Sequence, residues 1–314
     1  MAVQINEAQF ESHIVEQLVN SGYLQRNPED YDRKDGLLKW DLIDFLKDTQ
    51  LETYNRLVAE TGGEEFAQRS LFSRIRTEIQ NGTLNVLRNQ AFEAGFGCRF
   101  QLLYYQPASG LSESAMFNYK HNRISIVRQL RYSVREENKN NSIDLVIFIN
   151  GFPIITIELK NKQTGQNHMN AIQQYMKSRR PDGEPLLAFK RCLVHFAMGT
   201  EQVYMTTKLA GDDTRFFPFN KTCQNEGVEG HPYRTSYMWE DVLQIDSIMQ
   251  LIQSFVNVQV ISTPVYDERA RKFINRESEA LIFPRYHQRR AVRNLIADAK
   301  ARGAGHKYLI QHSA

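Results

Sequence analysis

The chain has 314 residues, 41% of them hydrophobic and 24% charged, with a formal net charge of +3. That suits a globular chain of one large domain, or one domain plus part of another, and the mild basicity decides nothing about nucleic acid. No apolar run is long enough to span a membrane, and no basic-then-apolar leader opens the chain. Cys98, Cys192 and Cys223 are scattered, without a Cys-x-x-Cys pair, which argues against a disulfide framework and fits a reducing, cytoplasmic setting.

In chain order, Phe10, Ile14, Leu18 and Val19 recur at helical spacing and predict a helix over 7–24, stopped by Ser21-Gly22. More helical pattern fills 29–88, through Leu42, Ile43, Phe45 and Leu46 and then Leu71, Ile75 and Ile79. A β-rich centre follows, with strands expected at 100–105, 124–127, 144–149 and 152–159. A helix is expected over 170–179, then strands at 192–197 and 202–206. The stretch 211–233 is rich in Gly, Asn, Asp, Pro and Thr and reads as loop. Val242, Leu243, Ile245, Ile248, Met249, Ile252 and Phe255 predict one long amphipathic helix over 239–255, N-capped by Thr235 or Ser236. From Ser262 the chain turns basic, with an Ala/Arg-rich helix over 289–301 and a short strand pattern at 307–311.

The chemistry concentrates in Ser142-Ile143-Asp144 and Ile157-Glu158-Leu159-Lys160, which flank the hairpin signal Asn150-Gly151. Side chains alternate along a strand, so Glu158 and Lys160 share a face, roughly 6.5 Å apart. Asp144 stands opposite Glu158 only if paired residue numbers sum to 302, whereas a plain two-residue turn gives 301. A three-residue connection, Asn150-Gly151-Phe152, or a bulge before Asp144 is therefore expected. Converging carboxylates repel unless a cation joins them, and oxygen ligands favour Mg²⁺ or Mn²⁺. Such a cation activates water and offsets charge on a phosphate, with Lys160 beside the water, which points to a metal-dependent nuclease. Taken alone, Glu-x-Lys is more often a solvated strand edge.

With a helix before it and a helix and strand after it, this arrangement resembles the PD-(D/E)xK nuclease superfamily. The longer string Ser142-Ile-Asp-Leu-Val-Ile-Phe-Ile-Asn-Gly-Phe-Pro-Ile-Ile-Thr-Ile-Glu-Leu-Lys-Asn161 resembles the R (restriction, motor) subunit of type I restriction-modification enzymes. Phe10-Glu11 to Gly22-Tyr23, Gly199-Thr200-Glu201 and Pro284-Arg285-Tyr286-His287-Gln288 agree with it. The resemblance implies an α/β fold: a mixed sheet flanked by helices, with a helical insertion and the truncated start of a helicase domain. It divides the chain into a nuclease domain at 1–235, a helical linker at 236–261 and the beginning of a RecA-like domain at 262–314. Lys307 to Ala314 resembles the strand that leads into a Walker A loop, so an N-terminal fragment is expected.

The same resemblance implies Asp144, Glu158 and the Leu159 carbonyl as metal ligands and Lys160 as the catalytic lysine. Gln174 fits the glutamine of the family's Gln-x-x-x-Tyr motif, but Ser178 stands in the tyrosine place and Tyr175 is adjacent instead. Gln288 would contact the adenine of ATP in the full-length protein only. The implied function is metal-dependent cleavage of double-stranded DNA, coupled in the intact protein to ATP-driven translocation. The implied partners are DNA and the methyltransferase and specificity subunits, with no membrane. Two alternatives stand beside it: a repair-type nuclease fused to another helicase, and a DNA-docking or assembly module inactive without its partners.

Other features weigh less. There is no His-Glu-x-x-His or Cys/His cluster for zinc. Gly95-Phe96-Gly97 begins like a dinucleotide fingerprint, but Phe100 stands in the third glycine's place. His168 is a candidate to approach the site and Glu11 to lie near the metal, although the plainer readings are a loop residue near a helix start and a surface acid. Tyr104-Tyr105 and Phe216-Phe217 read as core packing rather than base stacking. The basic pairs Arg179-Arg180, Lys190-Arg191, Arg271-Lys272 and Arg289-Arg290 are the candidate patches for DNA, although any one of them alone reads as a solvated surface pair.

Overall fold

The computed structural model describes residues 6–108, 112–161, 165–222, 225–226, 233–268, 271–303 and 305–311. Cys223 and the last three residues of the expected Walker strand, 312–314, lie outside these. The helices are α1 (Glu7–Asn20), α2 (Lys39–Thr61), α3 (Glu64–Glu78), α4 (Thr83–Arg88), α5 (Glu113–Lys120), α6 (His168–Ser178), α7 (Ile245–Gln250) and α8 (Tyr286–Arg302). The strands are β1 (Leu24–Arg26), β2 (Phe92–Gly95), β3 (Cys98–Phe100), β4 (Ile124–Arg131), β5 (Ser142–Ile149), β6 (Phe152–Lys160), β7 (Val194–Gly199), β8 (Val203–Thr206), β9 (Phe217–Pro218), β10 (Asn257–Asp267) and β11 (Lys272–Ile282).

Among the described residues, seven strands form one mixed sheet in the order β1-β4-β5-β6-β7-β8-β9. β1–β4 and β6–β7 are parallel and the other neighbours antiparallel. Both faces are covered, which is why β5 and β6 are apolar almost throughout. On one face Leu145, Ile147, Ile155, Ile157 and Leu159 join the larger core with α1 to α4 and β2–β3. On the other, Val146, Phe148 and Ala197 pack with Ala171, Ile172 and Tyr175 of α6. The mixed α/β fold and the helical insertion before the central strands are as expected.

Two helices that matter to the site begin with reciprocal caps. Asn6 and Gln9 exchange side-chain and backbone hydrogen bonds at 2.8 Å at the start of α1. Asn167 and Asn170 do the same at 2.9 Å for α6, through Asn170 Oδ1 and the Asn167 side chain. Each cap satisfies helix N–H groups that have no partner within the helix.

The turn between β5 and β6 corrects one expectation. It is a two-residue Asn150-Gly151 turn, with both residues at positive φ, +48° and +84°, the geometry whose twist matches that of paired strands. Asn150 tolerates this because its amide donates to Leu102 O and Asn122 Oδ1, both at 2.9 Å, and its Oδ1 accepts from Arg123 N–H at 2.7 Å. Phe148–Pro153 and Ile149–Phe152 pair first; a bulge then skips Ile154, and Ile147–Ile155, Val146–Thr156 and Leu145–Ile157 follow. The bulge, on β6 rather than before Asp144, shifts the register sum to 302, as Asp144 opposite Glu158 requires.

Three further expectations change. Residues 101–105 are not strand; the ordered ladder there is β2–β3, with Gly95-Phe96-Gly97 at its hairpin turn. The 239–255 segment is not one α-helix but a π-helical stretch Met238–Val242, α7, and a second π-helical stretch Leu251–Phe255. Trp239, Val242, Leu243, Ile248 and Ile252 are buried in the larger core, so packing sets the local backbone there. Neither expected cap acts: the Thr235 hydroxyl donates to Gly199 O and the Ser236 hydroxyl to Glu240 Oε2. The long β10–β11 ribbon was not foreseen, because its apolar residues do not alternate cleanly. Residues 307–311 are irregular rather than strand, since none of the described strands pairs with them.

Candidate active site

The acids meet where the β5–β6 ladder ends. Leu145–Ile157 is its last pair. The next inward N–H, that of Leu159, goes to the Asp144 carboxylate, Oδ2 accepting at 2.7 Å. In an extended strand a residue's N–H and C=O point to the same edge, so the Leu159 carbonyl faces the Asp144 side.

Gln129 on β4 stands across from Asp144, between the pairs Arg128–Leu145 and Leu130–Ile143. Its φ is +48°, a left-handed backbone that costs a non-glycine residue roughly 1 kcal/mol. Strand alternation breaks there: Val127 and Leu130, three apart, share one core. The Gln129 amide donates to Asp144 Oδ1 at 3.1 Å and to Glu11 Oε2 at 2.7 Å, and its Oε1 accepts from Ser142 Oγ at 3.0 Å.

Of the two readings of Glu11, the plain surface acid does not hold, and the side chain lies beside the candidate site, linked to Asp144 through Gln129. It is 5% exposed and also accepts from Arg128 Nε at 2.7 Å. The helical spacing that buries Phe10 and Ile14 turns Glu11 toward β4 as well.

Glu158 is fully buried. Its Oε1 pairs with Arg179 Nε at 2.7 Å, and Arg179 Nη2 also donates to Ser142 O at 2.6 Å. Its Oε2 is buried without a hydrogen-bond partner among the described residues. Burial, then the neighbouring Asp144 charge, raises the Glu158 carboxyl well above its ordinary range, while Arg179 pulls it down. Lys160, on the same side of β6, extends to Glu7 on α1, Nζ–Oε1 3.1 Å.

Beneath Glu158, on the same face, Thr156 Oγ1 lies 2.8 Å from Tyr175 Oη and 2.7 Å from His195 Nδ1. Burial holds His195 neutral, its pKa lowered to about 3, and keeps the Tyr175 hydroxyl protonated. α6 therefore turns Tyr175 inward, whereas Gln174 is half-buried and hydrogen-bonds to none of these groups among the described residues. The structure brings together Asp144, Glu158, Leu159 and Lys160 but not Gln174. Sequence reasoning missed Arg179, Gln129 and Glu7. Arg179 is one short turn beyond the inward Tyr175, the only local hint that it too faces the sheet.

Three basic pairs read as solvated each hide one member. Arg179 is buried on Glu158, Arg191 donates to Asp35 O at 2.7 Å, and Arg289 forks onto Asp241 at 2.8 and 3.0 Å. His168 begins α6 and stacks on Tyr204 with ring centroids 4.8 Å apart, its backbone beside Gly199, the residue that pairs with Lys160. The exposed Gln288 side chain accepts from Arg285 N at 2.9 Å, capping α8.

Among the described residues no group of three or more His, Cys, Asp or Glu is arranged to hold a metal. The donors at this site are two carboxylates and a backbone carbonyl, a set that suits a hard divalent cation completed by water and substrate oxygens. The unpartnered, buried Glu158 Oε2 beside a second carboxylate fits such a cation, because an orphaned buried acceptor is costly without one.

Residues 4–214, about two thirds of the chain, match the sequence family described as the type I restriction enzyme R protein N terminus. No curated protein sequence matches the chain. Among the described residues no helix is long and apolar enough to cross a membrane.

Proposed function

Because the chain belongs to the type I restriction enzyme R protein N-terminal family, we propose that it supplies the nuclease of a restriction enzyme, cleaving double-stranded DNA with a divalent metal. One observation carries this reading. Two carboxylates, Asp144 and Glu158, converge at the open end of a hairpin ladder, one of them with a buried, unpartnered oxygen, and Lys160 stands on the same strand.

In this reading Asp144, Glu158 and the Leu159 carbonyl hold Mg²⁺ or Mn²⁺. The cation supplies two things when bound: a more acidic water and compensation for charge gathering on the scissile phosphate. The chain's residues do the rest. Asp144 is already oriented by the Leu159 N–H and the Gln129 amide. Lys160 is half-buried, so its charge acts in a less polar surrounding than water, and on leaving Glu7 it orients the attacking water or steadies the phosphate oxygens. Neutral His195 and protonated Tyr175 support the strand through Thr156 without adding charge. DNA contacts are electrostatic, so binding weakens with salt. Coupling to ATP-driven translocation, a role for Gln288 toward adenine, and assembly with methyltransferase and specificity subunits belong to the same proposal for the intact protein.

A second reading, a module inactive without its partners, is favoured by one feature. Arg179 occupies Glu158 and Glu7 occupies Lys160, so the resting site is neutralised from within. Incubation of the chain with plasmid DNA and Mg²⁺ or Mn²⁺, beside Glu158→Ala and Lys160→Ala, decides between them. Cleavage by the wild type alone supports the self-sufficient nuclease. Cleavage only in a complex with the partner subunits supports the dependent module. Cleavage that persists in both variants rejects the site.

A further inference from the structure

We propose that Gln129 is a positioning residue that sets the Asp144 carboxylate for a divalent cation; this rests on reading Asp144 and Glu158 as metal ligands. The charges around the site are mostly matched. Glu11 has Arg128, Glu158 has Arg179 and Lys160 has Glu7. Asp144 is different: it has no basic partner among the described residues, its donors are the neutral Gln129 amide on Oδ1 and Leu159 N–H on Oδ2, and the Glu158 carboxyl lies within hydrogen-bonding reach of it. Neutral donors orient a carboxylate without cancelling its charge, so Asp144 keeps its full attraction for a cation.

A side chain opposite Asp144 on a regular strand would follow the pleat. The left-handed backbone at Gln129 breaks that pleat and brings the amide to both acids. Every polar group of the amide is used. The two donors go to Glu11 and Asp144, and the acceptor takes the Ser142 hydroxyl, so the network assigns which end is nitrogen. Arg128 anchors Glu11 from the far side, so the chain Arg128–Glu11–Gln129–Asp144 links α1 and β4 to the acid. A lysine or arginine at 129 would cancel the Asp144 charge, and a glutamate would repel both acids. Backbone strain retained beside a candidate site is consistent with a role there.

Outer partners that orient a metal ligand typically change metal affinity 10- to 100-fold. The test uses the full chain with Gln129→Asn and Gln129→Gly, which both suit a left-handed backbone, beside Asp144→Asn. Mn²⁺ affinity is measured by calorimetry, and the metal concentration for half-maximal plasmid cleavage alongside it. The expected result is Mn²⁺ binding at least about tenfold weaker in both Gln129 variants, with apo melting curves still cooperative. The maximal cleavage rate is expected to return at saturating Mn²⁺, which general damage to the fold would not allow. Wild-type Mn²⁺ affinity in both Gln129 variants, with binding lost in Asp144→Asn, overturns the role of Gln129 and leaves the metal site standing. Binding unchanged in Asp144→Asn, or absent from the wild type, overturns the metal site and this inference with it.

Discussion

Replacing Arg179 with Met keeps an apolar stem of similar reach and removes the guanidinium that pairs with Glu158. The two side chains are 7% and 0% exposed, so water cannot take over the lost partner, and breaking such a pair costs about 3–5 kcal/mol. Proton uptake by Glu158 caps the loss. Neutralising a carboxyl of ordinary pKa at pH 7 costs about 3.5 kcal/mol, at 1.36 kcal/mol per pH unit, and the cap here lies below that because the Glu158 carboxyl is already raised in the wild type. The sign follows from the same group. The folded-state pKa of Glu158 is raised, so its stability contribution is present at low pH and is lost as pH rises through the elevated value. Removing Arg179, the cause that lowers it, moves that loss further up the pH scale. Urea unfolding of Arg179→Met and wild type at pH 5.5, 7 and 8 therefore shows a deficit that grows with pH and stays below about 3 kcal/mol at neutrality. Mn²⁺ narrows the deficit by supplying the missing positive charge. A deficit that is flat across this range, or below about 1 kcal/mol at pH 8, would refute the buried pair as described.

Other predictions draw on separate parts of the chain. His195, with a pKa lowered to about 3 by burial, stays neutral while the unfolded chain takes up a proton below about pH 6.5. Its contribution is full above that pH and is lost as pH falls, by about 2 kcal/mol between pH 8 and pH 5. His195→Asn keeps a polar group near Thr156 and should flatten that slope; an unchanged slope in urea titrations argues against a neutral buried imidazole. At Gly151 (φ +84°) an added Cβ would sit 2.3 Å from Leu38 O, so Gly151→Ala must push the start of α2 away and should cost more than about 2 kcal/mol. Gly97→Ala, at φ +67° with open space around it, should cost only about 1 kcal/mol, and equal melting temperatures for the two would contradict the close approach. Arg289→Met removes the fork on Asp241 and the donor to Ser247. It should loosen α8, read as faster amide exchange there with β4–β7 unchanged.

The central strands were legible because their signals are local and coincide: β-branched runs on both sides of Asn-Gly, with the acid and the Glu-x-Lys at their far ends. Register was only half legible. The sum rule named the pairing that the acids need, but Ile154, the residue skipped by the bulge, carries no turn or glycine signal. Arg179 and Gln129 were not legible because their roles come from across the sheet. Arg179 reads as half of a basic doublet until α6 is seen to lay it on Glu158, and nothing local marks a glutamine for a left-handed backbone. Glu11 was only half legible, because a residue one place off a helix's apolar stripe reads first as solvent-facing, whereas Arg128 and Gln129 cover it. The broken 239–255 segment shows the limit of periodicity, which found the buried residues correctly but not the π-helical turns that core packing imposes on them.

The central claim is that Asp144 and Glu158 together hold a divalent cation, and its most direct test is to locate that cation. Crystals of the chain equilibrated with Mn²⁺ should show an anomalous difference peak between the two carboxylates, close to the Leu159 carbonyl, and the Arg179 guanidinium should ease away from Glu158 Oε1. The peak should vanish in Asp144→Asn crystals soaked in the same way. A saturating Mn²⁺ soak that leaves this position empty, or a peak that survives the Asp144 substitution, would contradict the account.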